Sequence, residues 1–448
     1  MTDSSTTPCL WQAGNGISRE AYPPLTEDLA CDVAIVGGGF TGLWTALYLR
    51  QAAPELSIRV LEAAHCGHGA SGRNGGWLMA SLEGLHQFAD TDSRLPAELL
   101  TLIRGLIPEA FKQIERYNLQ CDVSHGGALF SAARYSQQIH RAKSMLREQQ
   151  RLGFTEDDYR WLDAREASSR VNAACTGGGI YTPLVATLNP WKLIRELARA
   201  ASGLGVAIHE QTPVNSISND STGARVLRTQ RGSVSADWIV LATEGYSEGN
   251  NPLHNYILPV QSGMVATEPL SEAQWQTLGF HQREAFCDFS RASTYLQRSA
   301  DNRLVVGARG SYLWGRKCQH TLDALQKETA KRQSLARQLF PQLGAVEFTH
   351  AWGGTLGIPR RFAPHVTLDR NRGLATAGGY IGEGVGASLL FGKTLAHLLL
   401  NKASELTQMP WVRAAPLEDA LRRWEPEPLP WLGFNATMLA FDLEERLK

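Results

Sequence analysis

The sequence predicts an α/β chain, α+β overall, with two sheets of different character. Three observations carry this. Residues Cys31 to Glu62 read as a buried strand, a glycine turn, a helix, a second strand and a terminal acid. Asp237 to Ala242 is another short apolar run, of the kind buried on both faces of a parallel sheet. From Ile257 onward the pattern becomes an alternation of strand type, as an antiparallel sheet requires. The first two define a Rossmann-like domain, and the third a second domain with a mostly antiparallel sheet. A length of 448 residues accommodates two domains.

The first segment reads as a dinucleotide site, each part with its own task. Val33 to Val36 is an apolar, β-branched strand. Gly37 allows a sharp turn, Gly39 lets a pyrophosphate approach a backbone without Cβ, and Gly42 lets the helix pack close to the strand. Phe40 and Thr41 open that helix, whose N-terminus offers free N–H groups and a positive dipole end. Leu43, Ala46 and Leu47 form its sheet-facing stripe. Glu62 follows Gly42 by 20 positions, the offset at which an acid accepts bonds from ribose hydroxyls, and Ala63 comes next. An acid there repels a 2′-phosphate, which argues against NADP.

A second glycine-rich loop follows at once: Gly69, Ala70, Ser71, Gly72, Arg73, Asn74, Gly75, Gly76. Its donors, hydroxyl, cation and amide suit an anionic, extended cofactor. The alternative, a flexible surface turn, leaves Arg-Asn within a glycine run unexplained.

Here the chain resembles the FAD-dependent oxidoreductases of the D-amino-acid-oxidase fold. The likeness is to the branch that includes γ-glutamylputrescine oxidoreductases and related amine oxidases, with sarcosine and glycine oxidases as cousins. It extends to Trp11 and Pro23-Pro24-Leu25, to Asp237–Thr243, to Gly378–Val385 and to Trp424–Pro428. It implies FAD, bound noncovalently, by the residues named above together with Val214, Thr243, Gly353, Gly379, Gly382, Gly384 and Val385. It also implies oxidation of a carbon–nitrogen bond, with hydride passing to flavin N5 and the imine hydrolysing to an aldehyde plus ammonia or an amine. The motifs specify FAD; none specifies a substrate.

The resemblance divides the chain into a discontinuous FAD-binding domain (1–88, 177–256 and 349–448) and a substrate domain (89–176 and 257–348). Leu95 to Leu119 and Ser136 to Leu152 read as helices, Gly126 to Ala132 as a strand, and Pro190 to Gly203 as a helix. Val206–His209 and Val214–Ile217 read as short strands, the second passing the adenine. Val260–Thr267, Ser293–Arg298 and Arg303–Ala308 read as the antiparallel sheet. Leu322–Phe340 and Ala387–Leu400 read as helices, with Thr349 onward returning to the FAD domain.

Composition bounds the partners. With 44 basic and 44 acidic side chains there is no basic field for nucleic acid. No apolar run is long enough for a transmembrane segment, and Met1–Pro8 carries no signal pattern. Seven scattered cysteines without metal spacing suggest reduced thiols in a cytoplasmic protein and no metal site. The expected partners are a small-molecule amine and O2 or another electron acceptor.

The candidate substrate residues are Glu383, Trp352, Arg309, Tyr295 and Arg361. Glu383 reads as a carboxylate for a cationic amine, or as a solvated turn acid. Trp352 reads as an aromatic wall or as core. Tyr295 and Arg309 share a face of the presumed substrate sheet. Arg360 and Arg361 read as holders of an anionic tail or of a neighbouring carboxylate. Glycine oxidases carry an arginine in the loop matching Gly379–Gly384, and sarcosine oxidases a lysine shortly after it, at Gly386; this chain has neither. The lysine that promotes reaction with oxygen in sarcosine oxidases falls on Val305. No cysteine stands near Gly353 for covalent attachment, while His65 and His68 leave a histidyl link open. These departures favour an amine with a remote anion, such as a γ-glutamylated polyamine or an aminoalkylphosphonate. An α-amino or N-methyl amino acid oxidase or dehydrogenase, and a non-catalytic flavin-binding partner subunit, are the alternatives. Trp431, Leu432, Phe434, Met438 and Leu439 read as a docked apolar tail or as a membrane or partner contact.

Overall fold

A computed structural model describes residues 9–13, 21–219, 224–291, 293–318 and 326–446, the side chains of Arg309 and Arg446 excepted. Met1–Pro8 and the start of the expected helix at 322–325 lie outside the described residues. Within them, two sheets carry most of the chain. The first runs, edge to edge, through Val412–Arg413, His365–Asp369, Leu374–Gly378, Ser233–Leu241, Leu29–Val36, Ile58–Leu61 and Ala207–His209. Leu29–Val36 lies inside it, parallel to Ser233–Leu241 on one side and to Ile58–Leu61 on the other. Its chain order reverses there, and the carboxyl end of that strand faces the crevice where α/β sheets bind ligands. Val33, Ala34 and Ile35 are essentially inaccessible, as the unbroken apolar run anticipated.

Helix Phe40–Ala52 leaves this strand after three glycines and packs against Gly384–Leu399. Pro190–Gly203 begins with Pro inside the first turn, and the Asn189 side chain accepts the Lys192 N–H. The expected helix over Leu95–Leu119 is two helices, Ala97–Arg104 and Leu106–Arg116, parted at Gly105. The strand expected over Val214–Ile217 begins at Ser216, leaving Val214 in a loop.

The second sheet runs Phe348–Pro359, Ile257–Thr267, Leu304–Arg309, Thr294–Arg298, Ala285–Asp288, Ala128–Ser131, Gly179–Thr182 and Arg160–Leu162. Its pairs are antiparallel except Ala285–Asp288 with Ala128–Ser131. Two segments depart from the sequence-based division. Phe348–Pro359 does not return to the first sheet but pairs along its length with Ile257–Thr267. Gly179–Thr182 likewise belongs to the second sheet, so the chain rejoins the first only at His365 and at Ala207 respectively. Alternation reveals a strand and not its partner, so neither pairing is legible in the sequence. The tail ends in a helix, Leu429–Arg446.

Candidate active site

One cavity of about 890 Å³ runs from the glycine turn at Gly37 to the second sheet. At one end Gly37 has φ +111°, a left-handed conformation, and a Cβ there would stand 2.6 Å from the Ala242 carbonyl oxygen. A Cβ on Gly42 would strike the Gly37 carbonyl. Gly39 is the residue before helix Phe40–Ala52 and has no side chain to cap it. Ser71 from the second glycine loop supplies that cap instead, its hydroxyl accepting the Phe40 N–H at 3.0 Å. The two glycine loops are thus one structure, a link the sequence reading did not contain.

Glu62 ends Ile58–Leu61 and lines the cavity with Ala63. Its carboxylate accepts the N–H groups of Gly38 at 2.8 Å and Ala64 at 2.9 Å. Burial pushes its pKa up, against those two bonds. The Asn74 side chain bonds the carbonyls of Ala70 and Ser71 and accepts the Gly76 N–H, closing the loop on itself. Arg73 donates to the His68 carbonyl at 2.9 Å and to the Gly353 carbonyl at 3.3 Å. Gly72 and Gly76 do not line the cavity; each gives another carbonyl room, Gly67 and Leu188 respectively. Gly353 also acts from behind, through Arg73, while Gly354 lines the cavity.

Phe40, Thr41, Ser71, Arg73, Asn74, Gly75, Val214, Thr243, Gly382, Gly384 and Val385 all line the cavity. The Thr41 hydroxyl pairs with the Tyr380 phenol at 2.7 Å, tying the first helix to the C-terminal loop. Gly379 and Gly382 take φ of +82° and +115° there, and Glu383 stands before the first turn of Gly384–Leu399. That helix starts three residues earlier than the sequence suggested, so its N-terminus opens on the cavity at Gly384 and Val385. Gly386 faces away, and a Cβ there would strike the Met79 carbonyl.

Glu244 was not singled out by sequence. It follows Thr243 with φ 44° and its Oε1 accepts the Gly379 N–H at 3.0 Å. Burial pushes its carboxyl up to about 7, against the N–H groups of Gly379, Tyr380 and Gly357. It joins the first sheet, the second sheet and the C-terminal loop.

The substrate candidates divide. Tyr295 and Glu383 line the cavity. The Tyr295 ring fits against Gly75, where a Cβ would come within 2.7 Å of it, and its hydroxyl pairs with Ser262 at 2.7 Å. Trp352 is not a wall of the cavity. It is 3% exposed, donates its indole N–H to the Arg73 carbonyl at 2.9 Å, and meets Trp11 edge-on at 5.9 Å. Arg360 is engaged by Glu425 at 2.8–3.0 Å, and Arg361 is exposed outside the cavity. Neither lines the cavity; the C-terminal tail returns through Glu425 to neutralise Arg360. Arg309 ends its strand opposite Ser262; its side chain lies outside the described residues. The cavity brings in residues that sequence did not mark: Met79, Phe130, Arg141, Met264, Cys287, Asp288, Arg291 and Phe441.

These features fit an FAD. The phosphates would meet the Gly37–Gly42 turn and the N-terminus of Phe40–Ala52, and Glu62 stands at the ribose offset. The remaining length reaches the second sheet beneath Gly382–Val385. The comparisons agree. The family described as DAO, FAD dependent oxidoreductase, matches residues 32–398. The chain is 29% identical over 406 residues to the probable oxidoreductase OrdL of Rhizobium meliloti, covering 88% of this chain and 89% of that one. It is 29% identical over 399 residues to the γ-glutamylputrescine oxidoreductase of Escherichia coli, covering 86% and 88%. Glycine oxidase from Geobacillus kaustophilus superposes with a TM-score of 0.70 at 22% identity, over 89% of this chain and all of that one. The chain belongs to the DAO family of FAD-dependent oxidoreductases. It is therefore an FAD enzyme acting on amines or amino acids. Among the described residues no helix is long and apolar enough to cross a membrane, and no cluster could hold a metal ion.

Proposed function

We propose that this enzyme oxidises the carbon–nitrogen bond of an amine whose anionic group is remote from the reacting carbon. One observation carries the reading: Glu383 stands at the cavity's helix N-terminus, and the loop Gly379–Gly386 holds no cation to clamp an α-carboxylate. Bound FAD supplies the acceptor for the hydride lost from the substrate carbon. Glu383 accepts an N–H bond from the amine and orients it. The N-terminus of Gly384–Leu399 favours negative charge at the cofactor. Tyr295, fixed by Ser262, closes the face opposite. The amine loses a hydride and a proton to give an imine, and water adds to yield an aldehyde plus ammonia or a smaller amine. FAD is held noncovalently in this reading, since no cysteine follows Cys318 to take the place used for covalent attachment near Gly353. One relative acts by name on γ-glutamylputrescine, which carries an amine and a distant carboxylate.

Anaerobic flavin absorbance tests this across amines, α-amino acids and aminophosphonates. Bleaching by remote-anion amines is expected, with Glu383→Gln slowing it by about tenfold or more. Bleaching by simple α-amino acids alone would overturn the reading. Reoxidation by oxygen compared with a quinone identifies the acceptor; Val305, fully buried where sarcosine oxidases place a lysine, favours the quinone.

A further inference from the structure

Beyond Arg73, the cations that line the cavity among the described residues are Arg141 and Arg291, both at the substrate end. Arg141 comes from helix Ser136–Leu152, and Arg291 follows strand Ala285–Asp288. The two converge on one carboxylate. Arg141 donates to Glu444 at 2.7 Å, and Arg291 donates to both oxygens of Glu444 at 3.0 Å. Glu444 belongs to the terminal helix Leu429–Arg446, whose Phe441 also lines the cavity. Arg291 forks onto both oxygens and Arg141 adds a single charged bond, a donor set suited to a carboxylate ligand.

We infer that Arg141 and Arg291 form the seat for the substrate's anionic tail, and that Glu444 occupies this seat until the substrate displaces it. The inference rests on the remote-anion reading above and names the residues that read the anion.

Three features distinguish this cluster from an ordinary structural ion pair. First, the neighbouring Arg134 shows what a fixed pair looks like here. It bonds Asp288 at 2.7 Å, and that acid is fully buried beneath Gln138, Ser290 and Thr294. Glu444 by contrast is 46% exposed, so exchanging it strands no buried charge. Second, Arg141 is positioned independently of Glu444, its other guanidinium nitrogen donating to the Phe289 carbonyl at 2.9 Å. Arg141 therefore stays in place when Glu444 leaves. Third, the terminal helix is held differently at its two ends. Near its start Trp431 meets Trp314 at 5.7 Å and Phe434 meets Tyr312 at 6.1 Å, in an apolar cluster. Near its end the contacts centre on charge: Glu444 pairs with Arg141 and Arg291, Glu445 lies 3.8 Å from Arg134 and accepts the Arg291 backbone N–H at 2.8 Å, and Arg291 stands over the Phe441 ring at 6.0 Å. A carboxylate from solution can replace an ionic contact and not an apolar one. The helix is thus a strap anchored at Trp431 and Phe434, with an exchangeable clasp at Glu444.

The test uses the FAD-loaded enzyme and two amines of equal length, δ-aminovalerate and n-pentylamine, which differ only in the terminal carboxylate. Anaerobic bleaching gives a half-saturation concentration for each, and their ratio measures preference for the anion. Arg141→Ala and Arg291→Ala should each cut that preference about tenfold, the scale of a charged hydrogen bond. Glu444→Gln should raise it several-fold, because the internal competitor is gone. Arg141→Lys, which keeps the charge and loses the guanidinium that spans Glu444 and the Phe289 carbonyl, replaces Arg141→Ala if that variant does not fold. The second measurement is hydrogen exchange of residues 429–446 with glutarate, a non-oxidisable dicarboxylate. Exchange should rise with glutarate in the wild type and not in Arg141→Ala/Arg291→Ala. An unchanged ratio in the arginine variants, or a ratio that falls in Glu444→Gln, overturns the inference. If α-amino acids alone bleach the flavin, the reading of the substrate fails, and the glutarate experiment still decides whether the seat exists.

Discussion

Glu244 is the residue through which pH should act most directly on the cofactor end of the fold. Its carboxyl is buried and shifted from an ordinary 4.5 up to about 7, because burial disfavours the anion more than the surrounding N–H groups favour it. An unfolded chain ionises this group near 4.5, so between that value and 7 the folded state holds the extra proton. The stability it contributes is complete below 4.5 and is lost as pH rises through 7. From pH 5 to pH 8 the loss integrates to about 2.5 kcal/mol. Gln is a neutral stand-in for the protonated acid and keeps the carbonyl that accepts the Gly379 N–H. Glu244→Gln should therefore melt close to the wild type at pH 5 and above it at pH 8. At roughly 2.1 cal/mol/K per residue the unfolding entropy of a chain this size makes about 2.5 kcal/mol equal to about 3 °C. The assay is thermal melting of both FAD-loaded proteins at matched ionic strength, followed by flavin fluorescence. A melting difference that does not change between pH 5 and pH 8, or that shrinks, would falsify the account of this carboxylate.

His365 should show the opposite slope. Burial pushes its imidazole down to about 4, so its contribution is complete above 6.5 and is lost as pH falls toward 4; His365→Gln should remove that acid-side loss in the same melts. Gly42→Ala places a methyl against the Gly37 carbonyl, and the purified protein should lack the flavin absorbance band, a retained band being the contrary result. Gly75→Ala pushes on the Tyr295 ring and should lower stability by about 1–3 kcal/mol while shifting the flavin spectrum; a spectrum identical to the wild type would place Tyr295 away from the cofactor. Arg360→Ala, which removes the contacts with Glu425 and the Trp424 ring, should leave the preference for anionic amines within about twofold, measured as the half-saturation ratio, because both lie outside the cavity.

What could be read from sequence follows the distance over which each feature is encoded. The dinucleotide turn was legible because strand, glycines, helix and acid lie within about thirty consecutive residues, and each residue type has one dominant physical reason to be there. Ser71 was recognised as part of a cofactor loop, but its role as cap for Phe40 was not, because the bond joins positions 31 apart. Glu244 reaches Gly379 across 135 positions, and Arg141 reaches Glu444 across 303. No periodicity or spacing rule connects such pairs; only the packing of the two sheets does. The errors have the same origin. For Arg360 the sequence leaves an anionic tail and a neighbouring carboxylate both open, because Glu425, 65 positions later, carries no sequence sign of folding back onto it. Trp352 was marked by size and by its glycine neighbours, but size predicts burial and not direction. It turns toward Trp11 and the back of the Arg73 loop. The fold and the cofactor were therefore accessible from local pattern, whereas the seat inferred above for the substrate's anion joins Arg141, Arg291 and Glu444, which stand far apart in the chain. A relative that keeps every glycine of the FAD site can change substrate by altering Arg141, Arg291 or its terminal helix alone. Comparing the glycine motifs among relatives would not reveal that change; the pair formed between the Ser136–Leu152 helix and the last turn of the chain would.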